Sequence, residues 1–271
     1  MIELLQITND AALARRCDGI EGMRLWVDLE RMGKAERQAG RDTFISTHEM
    51  ADVARVKAVL RRARLMVRVN PLNEASSREI DEVLARGADQ LMLPMFDTPG
   101  QLREFCRLVD GRAPVTALLE TAGALDSIEQ WAGTPGLAEV FIGLNDLHLS
   151  LGLRFMFEPL ASGVVERVAG VARGCGLRFG FGGIAKLDEG LLAGRDVLAE
   201  HVRIGSQAVI LSRTFHRGEP SSLEAQVAAL RLAEQQLSSR VPAQVEADRQ
   251  RIAALIGAIA QGSAERSEVP S

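Results

Sequence analysis

Four apolar runs in this chain end in residues able to bind a cation or hold an anion. Asp28 and Glu30 follow Leu-Trp-Val, Arg68 and Asn70 follow Leu-Met-Val, Glu120 and Thr121 close Val-Thr-Ala-Leu-Leu, and Asn145 and Asp146 close Val-Phe-Ile-Gly-Leu. A buried apolar run seldom ends in an unpaired carboxylate unless something cationic is nearby. If the runs ending at Glu120 and Asp146 are adjacent strands, the two carboxylates come within reach of one shared ion. Two carboxylates, waters and a chelating substrate are the usual holders of Mg²⁺ or Mn²⁺. The competing reading is that both carboxylates cap the helices that follow, where the helix dipole also favours negative charge.

The elements that must position these residues read as alternating strands and helices. Strands are predicted at Ile2–Thr8, Met23–Glu30, Leu65–Asn70, Gln90–Phe96, Val115–Thr121, Glu139–Leu147, Arg178–Ala185 and His201–Leu211. Helical period separates them, with Val53, Val56 and Leu60 on one face and Ile80 and Leu84 on another. Thr98-Pro99 reads as an N-cap followed by proline in the first turn, Ser46 and Glu49 have capping-box spacing, and Gly174 and Gly176 mark a helix end. Eight strands with helical connections predict a single (β/α)8 TIM barrel, whose active site lies at the C-terminal ends of the strands. An open dinucleotide-binding sheet would need a glycine-rich turn after the first strand, where this chain has Ile-Thr-Asn-Asp.

The barrel is expected over residues 1–218. Residues 219–260 form a C-terminal helical extension, with Leu223, Val227, Leu230 and Leu237 in one stripe, Pro242 as a break, and Ile252, Leu255 and Ile259 in a second stripe. These helices suit either the chain's own barrel or another subunit. Residues 261–271 are small and polar and are expected to be disordered.

A formal charge of −4 over 271 residues argues against nucleic acid or an anionic membrane surface as the main partner. Three cysteines without paired spacing argue against a disulfide framework, and no apolar run approaches the roughly 20 residues of a membrane helix. With no basic, apolar leader at the N-terminus, the expectation is a cytoplasmic protein. Lysine occurs only at positions 34, 57 and 186, so a Schiff-base mechanism has few candidate amines.

The segments Met-Val-Arg-Val-Asn-Pro-Leu-Asn (66–73), Gly-Ala-Asp-Gln-Leu-Met-Leu-Pro-Met (87–95), Leu-Leu-Glu-Thr-Ala-Gly-Ala-Leu (118–125) and Phe-Ile-Gly-Leu-Asn-Asp-Leu-His-Leu-Ser-Leu-Gly (141–152) together resemble the HpcH/HpaI aldolase and citrate lyase β-subunit family, over roughly residues 20–215. The resemblance implies Glu120 and Asp146 as ligands of Mg²⁺, Mn²⁺ or Co²⁺. It implies that Arg68 faces the 2-oxo oxygen of a substrate, and that the turn at Asn145 and Asp146 receives the substrate carboxylate. A metal and a guanidinium stabilise the enolate left by retro-aldol cleavage where its charge develops. The implied activity is that of a metal-dependent aldolase: a 4-hydroxy-2-oxoacid gives pyruvate, or an analogue, and an aldehyde. The implied assembly is a homo-oligomer.

The chain also departs from the family. Aldolases carry Asp-Gly-Glu-His at the end of the second strand, and this chain has Asp28-Leu29-Glu30-Arg31, so the family's proton-transferring histidine is replaced. Glu30 and His48 join Arg68 as catalytic candidates, His148 is a candidate for touching substrate, and a water on the metal is a further possible base. The first strand lacks the arginine-serine stretch that helps the citrate lyase branch bind CoA esters, which favours a free 2-oxoacid. CoA-ester cleavage or thioester hydrolysis remains the alternative, followed by a Schiff base at Lys186 and a non-enzymatic acid-binding barrel. Gly180–Gly183 and Arg203–Ser206 read either as a phosphate site or as tight turns.

Overall fold

Parallel strands in a closed sheet are buried on both faces, so they read as near-continuous apolar runs. In a computed structural model, which describes residues 1–33, 47–216 and 222–267, these runs form eight parallel strands closed into a barrel in chain order. They are β1 (Glu3–Ile7), β2 (Met23–Asp28), β3 (Arg64–Arg68), β4 (Gln90–Leu93), β5 (Val115–Leu119), β6 (Leu137–Ile142), β7 (Arg178–Ile184) and β8 (Ala208–Leu211). Around them lie α1 (Ala11–Asp18), α2 (Met50–Lys57), α3 (Ser76–Ala85), α4 (Pro99–Val109), α5 (Ala122–Asp126), α6 (Ile128–Trp131), α7 (Leu144–Ser150), α8 (Glu158–Ala161), α9 (Val164–Gly174) and α10 (Gly194–Ile204). The (β/α)8 TIM barrel read from the sequence is therefore the fold. Among the described residues no helix is long and apolar enough to cross a membrane.

Alternation along each strand sorts residues between the barrel interior and the helix layer. Trp26 pairs with Met66 and Asp28 with Arg68 across β2 and β3. The interior is layered. An apolar layer holds Leu5, Trp26, Met66, Met92, Leu118, Phe141 and Ala208. Beneath it, at the N-terminal ends of the strands, the fully buried Arg24 donates to both carboxylate oxygens of Glu139, at 2.5 and 2.8 Å, and to Glu3 and Gln90. Burial alone would lower the Arg24 pKa, but Glu139 and Glu3 hold it above the usual arginine value. Above the apolar layer, at the mouth, come Asp28, Arg68 and Glu120.

Every strand is shorter than the sequence reading, and for two of them a helix takes up the difference. β6 stops at Ile142, and Leu144–Ser150 is helical, which puts Asn145, Asp146 and His148 on α7 rather than on a strand. Gly143 makes the break, and a Cβ there would lie 2.8 Å from Glu120 Oε2. β8 begins at Ala208, because His201–Ile204 is the last turn of α10, which stops at Gly205 in the left-handed region (φ 76°). Arg203–Ser206 thus enters β8 from its N-terminal end, remote from the mouth, and Arg203 spends its fork on Glu200 and Glu166. A substrate phosphate at the mouth is out of its reach.

The predicted cap at Thr98-Pro99 is present, with Gln101 completing the box, and α9 ends at Gly174 with Gly176 left-handed. Ser46 lies outside the described residues; the observed box before α2 is Glu49 with Asp52.

The extension forms α11 (Ser222–Ser238) and α12 (Pro242–Ser267). Both pack on the chain's own barrel: Leu223, Val227 and Leu230 are buried on α11, and Ile252, Ile256 and Ala260 on α12. Of the predicted stripe, Ile252 is buried and Ile259 packs against the core, whereas Leu255 is exposed and Ile256 takes the buried position beside it. Glu234 accepts the Ile2 amide at 2.7 Å and Arg231 donates to the Ile2 carbonyl at 2.6 Å, fastening α11 to the start of β1. The helix continues through Ser267, past Gln261 where the polar tail was expected to begin.

Candidate active site

Arg68 leaves the end of β3 and turns toward β2. Its Nε and Nη2 donate to the two oxygens of Asp28 at 2.8 Å each, and Nη1 lies 3.3 Å from Glu30 Oε2. Its Cζ is 5.1 Å from the centroid of the Trp26 ring. Burial alone would lower the Arg68 pKa, but Asp28, Glu30 and Glu120 overcome it and hold the guanidinium charged. A two-point fork on a fixed carboxylate sets orientation as well as charge, which lysine could not reproduce.

Glu120 follows β5 and is 2 % exposed. Its Oε1 accepts the Met95 amide at 3.0 Å, and Oε2 faces Gly143. Met95 delivers that amide from a left-handed conformation (φ 51°), which costs a non-glycine residue roughly 1–2 kcal/mol. Burial pushes the Glu120 carboxyl up to about 8; Arg68 pulls against the shift, and the charges of Asp146 and Glu30 add to it. Asp146, in the first turn of α7, is thus electrostatic neighbour to Glu120, as the adjacency of β5 and β6 demands.

The structure therefore brings together Glu30, Arg68, Glu120 and Asp146, with Asp28 as an added anchor. Each of the two candidate histidines contacts a backbone group. His48 is buried and its Nδ1 accepts the Asp28 backbone N–H at 3.0 Å, which leaves the ring proton of the neutral form on Nε2 and uses the residue to hold the end of β2. His148 Nδ1 is 3.2 Å from the Leu144 carbonyl, an oxygen that only accepts, so this nitrogen carries the proton. Arg31 sends Nη2 to the His48 carbonyl at 3.0 Å. Lys186, just after β7, donates its amide to Thr214 and sits 3.6 Å from Glu189.

Two contributors, Trp26 and Met95, were not read from the sequence, and Asn70, named there as a strand-end residue, takes a supporting role. Trp26 forms the floor under Arg68; two positions before Asp28, it shares its strand face by the period-two rule, a signal that was available. Asn70 accepts the Arg31 and Met32 amides at 2.9 and 3.1 Å and donates to Glu79 at 2.8 Å, fixing the chain beyond β2. Met95 supplies a backbone amide, which no residue type announces.

Among the described residues no group of three or more His, Cys, Asp or Glu could hold a metal ion. The pair Glu120 and Asp146 still fits a hard divalent ion, because a carboxyl driven this far up by burial and like charge is relieved by added positive charge. Such a pair leaves coordination positions for solvent and substrate.

A family model described as HpcH/HpaI aldolase/citrate lyase matches residues 8–158. An HpcH/HpaI aldolase from Desulfitobacterium hafniense DCB-2 superposes with a TM-score of 0.62 at 15 % identity, covering 89 % of this chain and 94 % of that one. A citrate lyase beta subunit from M. tuberculosis, complexed with oxaloacetate and magnesium, gives 0.58 at 19 %, covering 86 % and 96 %. A family protein from Burkholderia cenocepacia J2315 gives 0.59 at 18 %, covering 88 % and 95 %. At these identities the superpositions speak for the barrel alone. No curated protein matches the chain.

Proposed function

From the premise that this chain belongs to the HpcH/HpaI aldolase/citrate lyase family, we propose that it is a divalent-metal-dependent carbon–carbon lyase, cleaving or forming a 4-hydroxy-2-oxoacid. The products of cleavage are pyruvate, or a close analogue, and an aldehyde. The observation that carries the reading is the buried Glu120 carboxyl, pushed up to about 8, with Asp146 and the Asp28-anchored Arg68 as neighbours.

Glu120 and Asp146 would hold Mg²⁺, Mn²⁺ or Co²⁺, which when bound supplies positive charge beside the developing enolate. Arg68 orients the 2-oxo group and shares the charge that reaches its oxygen as the C3–C4 bond breaks. Because Asp28 and Glu30 already fix the guanidinium, it needs no reorganisation when that charge appears. Glu30, 1 % exposed and beside Arg68, is placed to take the 4-hydroxyl proton and return it to C3 after the aldehyde leaves. Backbone amides at Asn145 and Asp146 would receive the 1-carboxylate. The M. tuberculosis citrate lyase beta subunit, complexed with oxaloacetate and magnesium, supports the choice of a hard ion and an oxoacid.

The test is pyruvate release from a panel of 4-hydroxy-2-oxoacids with Mg²⁺ or Mn²⁺, comparing wild type with Asp146→Ala. Metal-dependent release lost in the variant is expected. Full activity after EDTA treatment, or release confined to CoA esters, would overturn the reading.

A further inference from the structure

We propose that Trp26 is a positioning residue of this active site, its indole face setting the plane and height of the Arg68 guanidinium; this rests on the lyase reading above. Inward-facing positions on β2 run Arg24, Trp26, Asp28, and on β3 Arg64, Met66, Arg68. Arg68 begins a full layer above Trp26, yet its Cζ comes to 5.1 Å from the indole centroid. The guanidinium therefore reaches back over the ring, held at its edge by Asp28 and Glu30. A cation over an indole face and shielded from water is attracted by the ring quadrupole.

A second observation is independent of that contact. The Trp26 N–H is buried and has no hydrogen-bond partner among the described residues, whereas Trp131 donates to the Ala124 carbonyl at 2.8 Å. Buried indole N–H groups normally find acceptors, and leaving one unpaired is costly. The ring is thus oriented for its face and not for its polar edge. Its bulk also fills the apolar layer that separates Arg68 from Glu139 and Glu3 below, where a second buried arginine is already paired.

The claim is specific to an aromatic face, so the experiment compares Trp26→Phe with Trp26→Leu. Pyruvate release with Mg²⁺ is expected to fall about ten-fold in kcat for Trp26→Leu, with KM within two-fold, and no more than about three-fold for Trp26→Phe. Trp26→Phe should remain folded by thermal melting, since loss of the unpaired N–H offsets the void left by the smaller ring. Oxalate plus Mg²⁺ should change the tryptophan fluorescence of wild type and not that of Trp26→Phe, which retains Trp131.

A folded Trp26→Leu with kcat within two-fold of wild type overturns the inference and leaves the lyase reading standing. Equal losses in both variants, or a loss confined to KM, also overturn it. If Trp26→Leu does not fold, the fluorescence decides: a wild-type signal unmoved by oxalate in an active enzyme counts against Trp26. Wild type that neither releases pyruvate nor responds to oxalate removes the lyase reading, and this inference with it.

Discussion

With its carboxyl pushed up to about 8, Glu120 is protonated in roughly nine-tenths of metal-free molecules at pH 7. An ion that needs the carboxylate must displace that proton, so metal affinity becomes a function of pH. Apparent Kd for Mn²⁺ or Mg²⁺ should rise about ten-fold for each pH unit below about 8 and level off above about 9. Calorimetry in two buffers of different ionisation heat reads the same quantity directly. It should find about 0.9 proton released per ion at pH 7 and about 0.1 at pH 9. An unperturbed glutamate, titrating near 4.3, would release almost none at either. The sign carries over to stability: Glu120 favours the metal-free fold fully below its ordinary value of 4.5, and that contribution is lost as pH rises through about 8. Glu120→Gln should abolish both the proton release and the pH dependence of any residual binding. A wild-type Kd constant from pH 6 to 8, without proton release, would refute the argument that burial and like charge set this carboxyl.

Glu30→Gln should cut kcat by about a hundred-fold or more, as loss of a general base does; activity above a tenth of wild type would move proton transfer to another group. His201 is fully buried, stacked on Phe181 at 3.7 Å, and both ring nitrogens lack partners among the described residues; burial lowers its pKa to about 3. Its neutral form therefore stabilises the fold above about 6.5, and that contribution is lost as pH falls toward 3, about 2 kcal/mol of it by pH 5. Urea unfolding of wild type and His201→Leu at pH 7.5 and 5 checks this, and equal pH dependence in the two would contradict it. Glu139→Ala strands Arg24 in the barrel interior and should cost about 3–5 kcal/mol, measured by denaturant unfolding; a cost below about 1 would mean that Glu3 suffices.

The barrel was legible because all eight apolar runs survive as strands, and the two errors share one cause. Leu144 and Leu147 on α7, like Ile204 on α10, are buried apolar residues of helices that lie within a few residues of a strand. Over so short a stretch, a helix face pressed on the barrel and a doubly buried strand have the same composition. What separates them is Gly143 in one case and Gly205 with Ser206 and Gln207 in the other, and the effect of each glycine depends on a carboxylate or a left-handed turn supplied by the fold.

The site divides along the same line. Arg68, Glu120, Asp146 and Glu30 were legible since each charge stands where an apolar run must end, and the closed barrel then forces the ends of β2, β3, β5 and β6 into one mouth. The roles of His48 and Arg31 were not, because they rest on contacts that cross chain segments. His48 receives the Asp28 amide from twenty residues away, and Arg31 holds the His48 carbonyl while Asn70 holds the Arg31 amide. These bonds answer the question left by the missing family histidine. The position after Glu30 is spent on clasping the chain that follows β2, and the nearby histidine is spent on the backbone of Asp28. Asp28 in turn fixes two nitrogens of Arg68 with Glu30 on the third, and this is the arrangement from which the proposed mechanism assigns proton transfer to Glu30.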